Sequence, residues 1–140
     1  MRKVNGTPML NNVRYMIAYS QEDYDKVYGY LKGSEYENAS LAFPTLMALV
    51  NGKVEGVLGT HKSTQAIIAG PLLIKDKGIR RATLELKLVD AYESLLINLG
   101  VKAYIFSVDR KDVKRISMLR EIDLKPYTSD REKHWYMRRF

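Results

Sequence analysis

The run Ile67-Ile68-Ala69-Gly70-Pro71-Leu72-Leu73-Ile74, followed by Lys75-Asp76-Lys77-Gly78-Ile79-Arg80-Arg81, decides the fold. An apolar stretch of strand length gives way to a basic turn with one glycine. A long amphipathic segment then runs to Leu99 and stops at Gly100. A second apolar stretch, Ala103-Tyr104-Ile105-Phe106-Ser107, follows it. This is strand, basic loop, helix, strand. Two strands joined through a helix are most simply parallel, with a right-handed crossover. Such a unit aims the positive end of a helix past the first strand, where an anion, and a phosphate above all, is the natural guest.

Within the crossover segment, Leu84, Leu88, Ala91, Tyr92, Leu95 and Leu99 form one stripe. Thr83, Lys87, Asp90, Ser94 and Asn98 fall on the opposite side. That is a helix with one face on a sheet and one in water. Upstream, Val13 to Ala18 reads as a strand. Ser20 is an N-cap followed by acids, and Tyr24, Val27, Tyr28 and Leu31 keep helical spacing up to Gly33. Pro44 to Val50 and Lys53 to His61 flank Asn51-Gly52, the strongest two-residue hairpin signal. The glycines at 56 and 59 point to a bulge or a close backbone approach.

Downstream, Asp109 is the expected cap of another helix, with Val113, Ile116, Leu119 and Ile122 on its buried face. Two strand pieces, Leu124 to Thr128 and His134 to Phe140, close the chain. The order is β-α-β-β-β-α-β-α-β-β. The expected fold class is α/β in the α+β sense: a mixed, mostly antiparallel sheet with one parallel crossover and helices on both faces. Residues 1–140 are expected to form a single domain, with 1–11 as a loose leader.

Composition narrows the function. At 140 residues and 46% hydrophobic content, the chain can bury a real core. No apolar run reaches the about 18–20 residues needed to span a bilayer, and the N-terminus lacks the apolar core of a secretory signal. A cytoplasmic location without membrane association is the expectation. There is no cysteine and there are two histidines, His61 and His134, which argues against a metal site. The net charge of +7 gathers at 75–81, 110–120 and 131–139. It suits an anionic ligand. Nucleic acid is the third choice, because the ten tyrosines are scattered and no reading motif is present.

The element order, with "NGKVEGVLGTH" at 51–61 and "ISMLREIDLKPYTSDREKHWYMRRF" at 116–140, resembles the GNAT family of acyl-CoA N-acyltransferases over roughly Val13 to Phe140. The resemblance implies acetyl-CoA as cofactor and transfer of an acetyl group to an amine. It implies that the cofactor's pantetheine arm lies between splayed fourth and fifth strands, against the backbone of Leu72, Leu73 and Ile74. It also implies a pyrophosphate held by the loop Lys75, Lys77, Gly78, Ile79, Arg80 and Arg81.

The chain departs from the family pattern at several points. Arg80 stands where a second small residue is expected, either as an added phosphate ligand or as a plug. Residues 66–74 carry no carboxylate for the usual base. Met118 or Ser117 stands near the usual tyrosine acid, and Ile122-Asp123-Leu124 lacks the family's glycine. Candidate catalytic groups are therefore Glu55, His61 and Tyr104, each weighed against a plain structural role. A protein that kept the scaffold and lost the chemistry is the alternative. It would be a structural, regulatory or assembly component, as in some bacteriophage virion proteins, and would then reside in the virion. An exposed terminal strand would allow a homo-oligomer.

Overall fold

The computed structural model describes residues 13–78 and 80–140, so the leader and Ile79 lie outside the described residues. The elements are β1 (Val13–Ile17), α1 (Gln21–Leu31), β2 (Leu41–Val50), β3 (Lys53–His61), β4 (Ile68–Leu73), α2 (Arg80–Asn98), β5 (Ala103–Asp109), α3 (Val113–Glu121), β6 (Thr128–Ser129) and β7 (Lys133–Arg139). They form one seven-stranded sheet in the order β1-β2-β3-β4-β5-β7-β6, antiparallel except between β4 and β5. The mixed architecture inferred from the element order is the one observed.

Local chemistry explains most boundaries. Ser20 caps α1 in a reciprocal box: its hydroxyl accepts from the Asp23 N–H at 3.1 Å, and the Asp23 carboxylate accepts from the N–H groups of Ser20 and Tyr19. Asn51 and Gly52 both take positive φ, 54° and 80°, as the β2–β3 hairpin requires. The two faces of the sheet then fill separately. Val27 and Leu31 of α1 pack on Met47, Leu49 and Val57, while Leu84, Leu88, Tyr92 and Leu96 of α2 pack on Leu46, Ala48, Leu58 and Ile74. Gly56 sets the second contact. A Cβ there would stand 3.0 Å from Leu88 Cδ1 and 3.2 Å from Ile74 Cγ1, so the missing side chain is what lets α2 sit down on β3.

Several boundaries differ from those read in the sequence. Leu96, not Leu99, completes the α2 stripe. Leu99 follows the last helical residue and is half exposed. Asp112, not Asp109, caps α3 by accepting from the Arg115 N–H, while Asp109 ends β5. The expected buried face of α3 forms only in part: Ile116 and Leu119 are half-buried, and no residue of this helix is fully buried. Val113 is its first residue and Ile122 its C-cap, so neither lies on the turns that face the sheet, and they are 68% and 66% exposed. The stretch from Leu124 shrinks to the two-residue β6. Asp123 takes φ 59°, the conformation that glycine favours, and closes α3 with its N–H on the Arg120 carbonyl.

This asymmetry between α2 and α3 predicts their mutational response. Leu88→Ala should cost about 2–5 kcal/mol, since it opens a cavity at the Gly56 contact. Met118→Ala on exposed α3 should stay within about 0.5 kcal/mol. Urea unfolding of the two variants checks the contrast.

Candidate functional site

β4 and β5 pair at one position, Ile68↔Ile105, with the Ile105 N–H on the Ile67 carbonyl at 2.9 Å. Beyond it the strands part. β4 stays with β3 through Leu58↔Leu72 and Val57↔Leu73, and β5 stays with β7 from Ala103↔Arg139 to Asp109↔Lys133. The β3–β4 ladder carries one extra β4 residue between Leu58↔Leu72 and Thr60↔Ala69, a bulge that holds Gly70 at φ 127° and Pro71. Gly59 lies opposite. A Cβ on it would meet Leu41 at 2.8 Å, the close approach its sequence context suggests. The result is a gap with the β4 edge on one side and the β5 edge on the other.

At the open end of that gap the chain leaves β4 through Lys75 to Gly78 and enters α2. Tyr30 of α1 pins this turn. Its hydroxyl donates to the Glu55 carbonyl at 2.9 Å and accepts the Lys75 N–H at 2.8 Å, and the Lys75 ammonium lies 4.8 Å from the centre of its ring. Asp76 organises the next step. Its Oδ1 accepts the Gly78 N–H at 2.8 Å, and its Oδ2 lies 4.0 Å from Arg80 Nη1. Arg81 pairs with Glu85, which also binds Arg115 of α3. Arg80 is left with Nε and Nη2 buried and without a hydrogen-bond partner. Buried guanidinium donors without acceptors are costly.

That sheet order, with one parallel pair that opens into a gap above a basic helix start, is decisive. The chain has the GNAT fold. A GNAT-family acetyltransferase from Staphylococcus aureus superposes with a TM-score of 0.64 at 11% identity, over 91% of this chain and 98% of that one. Ard1 from Thermoplasma volcanium gives 0.67 at 17%, over 91% and 97%. Arabidopsis thaliana Naa50, solved with the bisubstrate analogue CoA-Ac-MVNAL, gives 0.65 at 11%, over 92% and 99%. No family model and no curated protein matches the sequence.

The three side chains nominated for catalysis are not brought together. Glu55 sits at a bulge of β3, between the pairs Ala48↔Gly56 and Leu49↔Val54, near the open end of the gap. His61 ends the same strand, roughly 20 Å further along at about 3.3 Å per residue, and is exposed. Tyr104 lies at the closed end, buried under α2 against the edge of Tyr92. Its hydroxyl donates to the Glu93 carboxylate at 2.6 Å, and Arg138 binds the same oxygen at 3.1 Å. Burial, then the Glu93 hydrogen bond and charge, push the Tyr104 phenol well above the ordinary range.

Sequence reasoning did not reach Tyr30, Glu93 or Arg138, because their contacts span 45, 11 and 45 residues. The Asp76-x-Gly78 spacing was a legible turn signal. Among the described residues no cluster of three His, Asp or Glu is placed to hold a metal, and no helix is long and apolar enough to cross a membrane.

The buried phenols predict an alkaline limit to stability. Burial pushes Tyr92 up to about 12, partly offset by its hydrogen bond with Thr60. The folded state therefore keeps a proton that the unfolded chain loses near 10. The stabilisation is full below that pH and is lost as pH rises from about 10 toward 12. Tyr92→Phe should flatten this decline in urea titrations across that window.

Proposed function

We propose that this chain is a GNAT-fold N-acyltransferase that moves an acetyl group from acetyl-CoA to an amine. The observation that carries the reading is Arg80, whose two buried, unpartnered nitrogens face the start of α2 where the basic loop ends. Guanidinium suits phosphate geometry, so Arg80 is read as a phosphate ligand. Lys77 and Arg81 add field strength at the same helix end. Leu72 and Leu73 pair with β3 on one side and, with Ile74 just beyond them, are read as leaving the other side for the amide arm of the cofactor. Bound there, acetyl-CoA would supply an acyl thioester, and transfer to a neutral amine forms one C–N bond, breaks one C–S bond and moves one proton from the amine nitrogen to the departing thiolate.

Proximity and alignment supply most of what that transfer needs. The thioester lies at the end of the arm away from the pyrophosphate, so the amine proton leaves there, through water in the gap. Glu55 lies beside Lys75 at the loop end and is read as structural. His61 and Tyr104 lie toward the closed end and are read as structural.

One observation favours a second reading, a GNAT scaffold without transfer. Asp76 already takes the Gly78 N–H and stands against Arg80, as an internal substitute for the anion. Calorimetric titration with acetyl-CoA separates the two. Acyl transfer expects saturable binding, weakened in Arg80→Gln by the loss of charge-assisted hydrogen bonds worth about 1.5–3 kcal/mol. Asp76→Asn keeps an acceptor for Gly78, removes the competing charge and should tighten binding. Thiol release with a panel of amines should then follow. Absence of heat at millimolar acetyl-CoA in both the parent and Asp76→Asn would refute the enzyme reading.

A further inference from the structure

Away from the gap, between α3 and β7, lies a cavity of about 380 Å³ lined by Ile116, Arg120, Leu124, Lys125, Pro126 and Tyr136. Its size falls at the small end of ligand sites, enough for one ring or a short chain with a head group. Ile116, Leu124, Pro126 and the Tyr136 ring supply its apolar part. Its polar groups are two cations and one phenol, and no carboxylate lines it.

Tyr136 is 1% exposed, stacked on Phe106 at 5.2 Å between ring centres, and its hydroxyl makes no hydrogen bond with any described residue. Neither Arg120 nor Lys125 enters an ion pair among the described residues. Arg120 alone would be explained as a cation in the last turn of α3, complementing the helix dipole. That account covers neither Lys125, which lies beyond the helix, nor the unpartnered Tyr136.

We propose that this cavity is a binding site for a small amphipathic anion: an apolar body seated on Ile116, Leu124, Pro126 and the Tyr136 ring, with a carboxylate or phosphate head held by Arg120, Lys125 and the Tyr136 hydroxyl. The site is separate from the basic loop and does not rest on acyl transfer. Its occupant would also add to the apolar contact of α3, whose Ile116 and Leu119 are only half-buried.

The test is a backbone amide NMR titration of the full chain with phenyl phosphate and with benzoate. Inorganic phosphate serves as the control without a body, and benzyl alcohol as the control without a charge. Saturable shifts centred on Leu124, Lys125 and Tyr136 are expected for at least one probe. The tighter probe identifies the head group, and both controls should bind more weakly. Arg120→Gln, an exposed position, should weaken binding about tenfold through the loss of one charge-assisted hydrogen bond. Tyr136→Phe, which keeps the stacked ring, should weaken it several-fold with the spectrum otherwise preserved. The proposal is overturned by the absence of saturable shifts at millimolar probe, or by shifts confined to Gly78 and Arg81. Binding that Arg120→Gln leaves unchanged, or inorganic phosphate that binds as well as phenyl phosphate, would overturn it too.

Discussion

The contact on which the architecture turns is the single parallel pair Ile68↔Ile105. On one side, β4 is held by β3 through a ladder with a bulge at Gly70-Pro71. On the other, β5 is held by β7 over seven pairs. Each half of the sheet is therefore anchored by its outer neighbour, and the seam between them can open without unravelling either. What spans the seam is α2. Its row Leu84, Leu88, Tyr92 and Leu96 packs against Leu46, Ala48, Leu58 and Ile74 from the first half and Tyr104 from the second. Backbone polar groups at the open seam want partners. A sheet built this way leaves two strand edges facing each other across the seam, with a cationic helix start at its open end.

The charge at that mouth is smaller than the sequence suggests. Of the cations between 75 and 81, Lys75 lies on Tyr30, Arg81 is bound to Glu85, and one nitrogen of Arg80 faces Asp76. Elsewhere Arg115 is shared between Glu85 and Asp112, and Arg138 is fixed on Glu93. Among the described residues, Arg80, Arg81, Arg115 and Arg138 are the cations in ion pairs. The two buried nitrogens of Arg80 are the donors that the loop itself does not satisfy. The residue that stands where a second small residue is expected is thus the one left with unsatisfied donors.

Legibility followed the range of each signal. The Asn51-Gly52 turn, the Ser20 cap, the α2 stripe and the basic loop are local, and each could be read from a few adjacent residues. The single parallel crossover followed from the order strand, helix, strand. Glycines at 56 and 59 were visible as oddities, and the structure supplies their causes: the seat of α2 on β3 and the approach of Leu41. Asp123 hid a left-handed residue under a non-glycine letter. The candidate site was legible only in its loop. Tyr30 sits off the α1 stripe and meets Lys75 across 45 residues, and Tyr104 meets a carboxylate on a helix that its own strand pattern says nothing about. Period and spacing carry no information on such encounters.

The two helices on the crossover face illustrate how far a helix can depend on its ends. A nine-residue helix is too short to persist alone, and α3 buries no residue fully to compensate. It is fixed instead by Asp112 at its start, by Asp123 and Leu124 folding back onto the Arg120 and Leu119 carbonyls at its end, and by Arg115 on Glu85 at its flank. Ends and an ion pair set its position, whereas α2 is set by its core. A core contact pulls a helix down until voids close, because each unfilled space forfeits dispersion contacts. End restraints exert no such pull. The half-open pocket between α3 and β7, with Arg120 and Lys125, unpaired among the described residues, at its rim, lies beside the helix that is held in this way.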